Sequence, residues 1–195
     1  MWQSVDRRQS GITRVAGMCG VLIPVVIFTS LGVSIASSPW FTWTSHALSD
    51  LGIQDNTAAL FNYGMIVGGI LALVFSFGLM KVLSNKLGAS ILALSSLALI
   101  GIGVFPETIF ALHFLTSASF FISLAIGLLI IGVTSRKNSF ERPIGLLALV
   151  FVVIAIISLV FLFPFEGIAI TEALACFPAF IWCSLVGMKM TRVSG

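Results

Sequence analysis

The residues of this sequence best suited to chemistry lie close together in one short stretch. His46, Ser49 and Asp50 are three and four positions apart, so on a helix their side chains would share one face and could meet. A carboxylate beside an imidazole orients the ring and raises its basicity, and a nearby hydroxyl can act as a nucleophile or as a hydrogen-bond donor. The same residues would also suit a water-exposed helix face or a helix cap.

Two more ionisable residues, His113 and Glu172, interrupt strongly apolar stretches. Each follows a Phe-Pro turn and lies six positions after a glutamate, Glu107 or Glu166. We expect the two glutamates in the first turns of their helices, where the helix dipole stabilises a carboxylate, with His113 and Glu172 about 9 Å deeper. An ionisable side chain at such depth indicates a functional site, unless it is neutral and makes a single buried hydrogen bond.

These residues share their side of the chain with further carboxylates and with no lysine or arginine. The acidic residues concerned are Asp50, Asp55, Glu107, Glu166 and Glu172. Like charges in a medium of low dielectric cannot all stay ionised, so some must lie apart, take up a proton or bind a cation.

Zinc accepts mixed nitrogen and oxygen ligands in tetrahedral geometry. The sequence therefore suggests a divalent metal, with zinc as the candidate cofactor, held by His46, Asp50, His113 and Glu172, although their spacing matches no metal motif. A catalytic site in the same place would use Ser49, Asp50 and His113.

The composition indicates a membrane protein. The chain of 195 residues is 58% hydrophobic and 9% charged, whereas soluble domains carry about 25% charged residues. Six apolar stretches approach the roughly 20 residues that a membrane-spanning helix needs. We predict an all-α bundle forming a single domain over residues 1–195, with spans near 15–36, 58–80, 87–104, 111–133, 143–163 and 168–188.

All basic residues fall on one side of this six-span arrangement. They are Arg7, Arg8, Arg14, Lys81, Lys86, Arg136, Lys137, Arg142, Lys189 and Arg192. Because basic residues in short loops stay in the cytoplasm, both termini are expected to be cytoplasmic and the protein to lie in the plasma membrane. Attraction to anionic lipid headgroups accounts for the net charge of +3, so nucleic acid is not expected as a partner.

The first outer connection, residues 37–57, is the only one on that side long enough to hold structure. A helical reading places Trp40, Phe41, Leu48 and Leu51 on one face and the polar residues on the other. This pattern predicts a short interfacial helix whose aromatic face contacts lipid. Elsewhere, Gly64 and Gly68 form a small-residue face of the kind that allows helices to pack closely, in a homo-oligomer among other arrangements.

Several short motifs resemble the domain-of-unknown-function family 998, a group of small prokaryotic membrane proteins with about six spans. They are the element Ser49-Asp50-Leu51-Gly52, then Asn62 and Gly64, the Phe105-Pro106 turn and His113. The resemblance implies membership of a membrane family and supplies no activity. The chain is more distantly similar to ceramidase-like membrane hydrolases, but it has two histidines where the zinc site of those enzymes uses three.

Three function classes follow from these features. The first is a module that binds membrane lipids or a partner helix. The second is a membrane-embedded hydrolase acting on a lipid-like substrate at the outer leaflet, and the third is a proton- or cation-coupled transporter. A transporter is the least favoured, because the inner halves of the spans offer only isolated polar residues such as Ser76 and Ser158.

Overall fold

Six long α-helices account for most of the chain that the structure, a computed structural model, describes, namely residues 2–54, 56–136 and 139–193. The helices are α1 (Trp2–Ala36), α2 (Ala58–Val82), α3 (Leu87–Val104), α4 (Phe110–Thr134), α5 (Glu141–Ser158) and α6 (Ala169–Val193). Two short 3₁₀ helices, Leu48–Gly52 and Leu159–Leu162, lie in the connections. Within these ranges there is no strand, so the predicted all-α class is confirmed.

Six helical segments of the described chain are long and apolar enough to cross a bilayer, and the fifth includes α5 and the 3₁₀ helix that follows it. The six segments are Gly11–Ala36, Ala58–Val82, Leu87–Val104, Phe110–Thr134, Glu141–Leu162 and Ala169–Arg192, close to the predicted spans. Their outward faces carry large apolar side chains such as Phe77, Leu94 and Ile156, each more than half exposed. A surface of this kind suits hydrocarbon and not water.

The helices form a closed ring. Each one packs against its neighbours in the sequence, α1 packs against α6 to close the ring, and α6 also contacts α2 and α4. Successive helices are antiparallel, so the start of α1, the end of α6 and the α2–α3 and α4–α5 connections lie at one end of the ring. Ile27, Phe75, Leu99 and Phe180 are among the buried residues that fill the interior.

Glycines allow the helices of the ring to approach closely. A Cβ atom on Gly17 would lie 2.7 Å from the carbonyl oxygen of Gly187, and one on Gly64 would lie 2.0 Å from the Ser30 hydroxyl oxygen. Gly68 faces Ile27 in the same α1–α2 contact. The predicted glycine face of α2 is therefore occupied within the chain, and homo-oligomerisation stays a prediction that would need other surfaces.

The first outer connection differs from the helix predicted for it. Residues 43–45 form a turn flanked by irregular backbone, and the short helix present is the five-residue 3₁₀ helix Leu48–Gly52. Phe41, Leu48 and Leu51 are buried in the protein core instead of facing lipid. These residues are apolar positions, as predicted, but they pack on the helices of the ring. Close packing against protein atoms gives them more van der Waals contacts than the membrane interface would.

A buried carboxylate lies at the opposite end of the ring. Glu141 is 1% exposed, and its Oε1 accepts hydrogen bonds from the Ser84 backbone N–H at 3.0 Å and the Ser84 hydroxyl at 2.6 Å. Lys189 donates to the Phe140 carbonyl at 2.8 Å and lies over its ring. These contacts join the α2–α3 connection and the end of α6 to the start of α5. No pattern in the sequence predicts this role of Glu141.

Replacing Gly64 by alanine should destabilise the protein. The new methyl group would displace Ser30, whose hydroxyl donates to the Leu60 carbonyl at 2.8 Å, and overpacking of this kind costs about 1–3 kcal/mol. Thermal unfolding in detergent measures the loss. Gly32→Ala is the matched control, because a Cβ there meets no atom within 4 Å. Equal melting temperatures for the two variants would contradict the assignment of Gly64 as a close-packing position.

Candidate functional site

The outer connection is fastened to the start of α6 by backbone and side-chain hydrogen bonds. The Leu48 N–H donates to Glu172 Oε2 at 2.6 Å. The Gly167 N–H donates to the Thr44 carbonyl at 2.8 Å, and the Ala169 N–H donates to the His46 carbonyl at 2.9 Å. The first N–H groups of a helix lack partners within it, so the connection also caps α6. Glu172 thereby gains a fixed position in the first turn of α6.

Further hydrogen bonds hold the 3₁₀ helix in shape. Asp50 Oδ2 accepts a hydrogen bond from the Ala47 N–H at 3.0 Å, which caps the start of the helix. At its end, the Thr57 hydroxyl donates to the Leu51 carbonyl at 2.9 Å and the Asn62 amide to the Gly52 carbonyl at 3.0 Å. Ser49 and Asp50 thus belong to a segment that hydrogen bonds fix at both ends. Asp50 caps this helix, as one of the two interpretations of the sequence predicted.

Glu107 brings the α3–α4 connection to the same place. The Ser49 hydroxyl lies 3.5 Å from Glu107 Oε2, and the Glu107 carboxyl is beside that of Asp50. Burial and the neighbouring Asp50 carboxylate raise the pKa of Glu107, while the His113 charge and the Ser49 hydroxyl lower it less. Glu107 therefore holds a proton to higher pH than an ordinary glutamate.

His113 is held by both ring nitrogens. Its side chain is 8% exposed, Nδ1 lies 2.8 Å from the Phe105 carbonyl oxygen, and Nε2 lies 3.3 Å from the Ser117 hydroxyl. Because a carbonyl oxygen only accepts hydrogen bonds, Nδ1 carries a proton. Nε2 of a neutral ring is then an acceptor for the Ser117 hydroxyl. We call Ser49, Asp50, Glu107, His113, Ser117 and Glu172 the acid cluster.

The predicted depths of these residues need correction. Glu107 and Glu166 were expected in the first helical turns, but α4 begins at Phe110 and α6 at Ala169. His113 and Glu172 are therefore only three residues into their helices, about 4.5 Å from the helix start. The residues that follow the two prolines are not helical. The predicted depth of about 9 Å was wrong because it assumed a continuous helix from each glutamate to the residue six positions later.

The four residues predicted as metal ligands do not all meet. His46 lies apart from the acid cluster: its Nδ1 is 3.2 Å from the Thr42 backbone nitrogen, and its ring packs on Trp40 and Phe41. The described ranges contain no group of three His, Cys, Asp or Glu side chains arranged to hold a metal ion. The geometry thus gives the zinc set no support. Ser49, Asp50 and His113 do share the cluster, and a catalytic role for them stays a prediction.

Not every acidic residue on this side joins the cluster. Glu166 is exposed, and Asp55 lies outside the described residues. Glu107 and Ser117 belong to the cluster but were not predicted as site residues. Their signals were present, since Glu107 follows the Phe105-Pro106 turn and Ser117 lies four positions after His113 on one helix face.

Glu172 lines two cavities. The larger, the lateral cavity, has a volume of about 410 Å³ and lies between α4, α5 and α6. Its walls are apolar except for Thr171 and Glu172, and the exposed residues Ile122 and Ile156 mark an opening towards the outside of the ring. The smaller cavity, about 50 Å³ in the centre of the ring, is lined by Ser49, Ser117 and Glu172 among apolar residues.

The fold and the acid cluster together define a polytopic six-helix membrane protein with a carboxylate-rich site at one end of the ring. The family model described as protein of unknown function (DUF998) matches residues 18–189. The match includes nearly all of the helical ring, and the chain belongs to this family, as the resemblance predicted. No curated protein matches the chain, and no solved structure does.

The raised pKa of Glu107 has a consequence for stability. The Glu107 carboxyl binds its proton more tightly in the folded state than in the unfolded state. The free energy of unfolding should therefore fall as pH rises above about 4.3, the ordinary pKa of a glutamate. Glu107→Gln should flatten this dependence. Melting temperatures in detergent between roughly pH 4 and pH 7 measure it.

Glu166→Gln serves as the control for this experiment, because Glu166 follows the corresponding Phe-Pro sequence but is exposed. It should keep the pH profile of the unaltered protein. A Glu107→Gln variant that keeps the same slope would show that Glu107 is not the group responsible.

Proposed function

We propose that this protein binds a lipid-like amphipathic molecule in the lateral cavity, with the polar end of the ligand at the acid cluster. One observation carries the proposal: a cavity of about 410 Å³, almost wholly apolar, ends at the carboxylate of Glu172. Ligand sites typically have volumes of about 300–1,000 Å³ and combine apolar walls with a few fixed polar groups. The cavity has both properties, and its opening faces the region that lipid occupies in our placement of the helices.

The polar end would decide which ligand binds. An acyl chain gains little from leaving lipid for an apolar cavity, because both surroundings are hydrocarbon. Selection must then come from the cluster, where Asp50, Glu107 and Glu172 supply acceptors and Ser49 and Ser117 supply hydroxyls. Such a set favours a polar end that donates hydrogen bonds, an amine above all.

The cavity can be tested by filling it. Ala125 lines the lateral cavity on α4, so Ala125→Phe should reduce binding of a fluorescent long-chain alkylamine by about tenfold or more, a loss of about 1.4 kcal/mol. Glu172→Gln should weaken the alkylamine and leave a fatty acid of equal length less affected. Binding is measured by titration of the purified protein in detergent.

Ala111→Phe is the control on the same helix, because Ala111 is exposed and does not line the cavity. Its alkylamine affinity should equal that of the unaltered protein. Undiminished binding by Ala125→Phe, or equal losses in both variants, would reject the lateral cavity as the binding site.

A membrane-embedded hydrolase is the second candidate, and one geometric feature favours it. The Ser117 hydroxyl lies 3.3 Å from His113 Nε2, and Nδ1 of the same ring is fixed by the Phe105 carbonyl. An imidazole held in this way can accept a proton from a serine. The pair lies beside the central cavity, which Ser117 lines. The transporter alternative gains no such support, because Ser76, Ser95 and Ser96 donate to backbone carbonyls.

We place the acid cluster at the outer face of the plasma membrane, with both termini in the cytoplasm. The support is the distribution of all ten lysines and arginines on the opposite side. Ser139 lies in the basic α4–α5 connection, and Thr44 lies in the connection that holds the cluster.

Cysteine labelling in intact cells tests this orientation. Thr44→Cys should react with a membrane-impermeant maleimide, because Thr44 is exposed in the outer connection. Ser139→Cys, exposed at the other end, should react only after the cells are permeabilised. The unaltered protein, with its three native cysteines, gives the background. The reverse pattern would place the termini outside the cell.

A further inference from the structure

A second cavity lies at the basic end of the ring, far from the acid cluster. It has a volume of about 410 Å³ and is lined by Gly132, Ser135, Arg136, Arg142, Leu146 and Leu149, from α4, α5 and the start of their connection. We infer that it binds an anionic phospholipid, with the phosphate between the two arginines and an acyl chain along the two leucines. This site is independent of the function proposed for the lateral cavity.

The two arginines are available for an anion. Arg136 and Arg142 are exposed, and neither forms an ion pair with any residue in the described ranges. Glu141, the neighbouring carboxylate, is turned inwards and accepts hydrogen bonds from Ser84. Two guanidinium groups therefore line one cavity, and no carboxylate of the described residues pairs with either of them. Guanidinium groups bind phosphate oxygens through paired hydrogen bonds.

The apolar part of the cavity continues from the charged part in the direction of the bilayer. Arg142, Leu146 and Leu149 are four and seven positions apart, so they share one face of α5. Leu146 is one helical turn, about 6 Å, deeper than Arg142. Leu146 is also 65% exposed. The arginines thus lie where a lipid phosphate would lie, and the leucines lie deeper, where the acyl chain of the same lipid would lie.

Two glycines set how closely α4 and α5 pack beside this cavity. A Cβ atom on Gly132 would lie 2.5 Å from the Leu149 side chain, and one on Gly145 would lie 2.9 Å from the Ser135 carbonyl. These two glycines let α4 and α5 pack closely beside the cavity, so the arginine that follows α4 stands at a short distance from the arginine and the two leucines of α5. Basic pockets between membrane helices commonly hold anionic headgroups. The apolar face just below favours a lipid as the source of that phosphate over the free ion.

Native mass spectrometry of the full-length protein in detergent tests the site. The unaltered protein should retain phosphatidylglycerol in preference to phosphatidylcholine with the same chains. The double variant Arg136→Ala/Arg142→Ala should lower the phosphatidylglycerol affinity by about tenfold or more, since each basic residue near an anionic surface contributes about 1 kcal/mol. Leu146→Gln should also reduce retention, although it removes no charge.

Lys81→Ala/Lys86→Ala is the matched control, because both lysines are exposed at the same end of the ring and neither lines this cavity. It should keep the lipid. An equal loss in the lysine pair would show diffuse attraction and overturn the site. Undiminished binding by the arginine pair would do the same. Displacement of the lipid by millimolar inorganic phosphate would overturn the choice of a lipid, since the acyl chain would then contribute nothing.

Discussion

The hydrogen bond from the Leu48 N–H to Glu172 joins the outer connection to the last helix, and the arrangement of the acid cluster depends on it. Main-chain bonds from Gly167 and Ala169 to the same connection reinforce it. The connection in turn sets Ser49 and Asp50 against Glu107. This attachment adds to the bonds from Thr57 and Asn62 and to the burial of Leu48 and Leu51, which also hold the segment on the ring. The Glu172 carboxylate therefore has a structural role as the hydrogen-bond acceptor for this connection.

The ring separates the two charge types by topology. Antiparallel neighbours send every second connection to the same end, so Asp50, Glu107, Glu166 and Glu172 lie at one end, while Glu141 lies with the described lysines and arginines at the other. The interior between them is largely apolar, and several of its hydroxyls donate to backbone carbonyls, as Ser95 does to the Phe120 carbonyl. The ends of the ring, and not its middle, therefore carry the polar chemistry.

The sequence predicts the helices well because a membrane span depends on local apolar length, and α3 was bounded at Leu87 and Val104 as the structure has it. Contacts between distant connections were harder to predict. His46 has the right spacing to Asp50, but its backbone carbonyl is engaged by Ala169 and its ring is turned to Trp40. Helical periodicity assumed for residues 40–51 failed because tertiary packing selected turns there. Glu107 was assigned to a helix end because a proline before a glutamate is typical of one.

The seam between α1 and α6 has a consequence for biogenesis. Gly17 and Gly187 meet near opposite ends of the chain. During synthesis the flank of α1 that packs on α6 stays uncovered until α6 has also entered the bilayer. Contacts with such large sequence separation form late and slowly. A polypeptide that lacks α6 would therefore expose the glycine-lined flank of α1 to other helices.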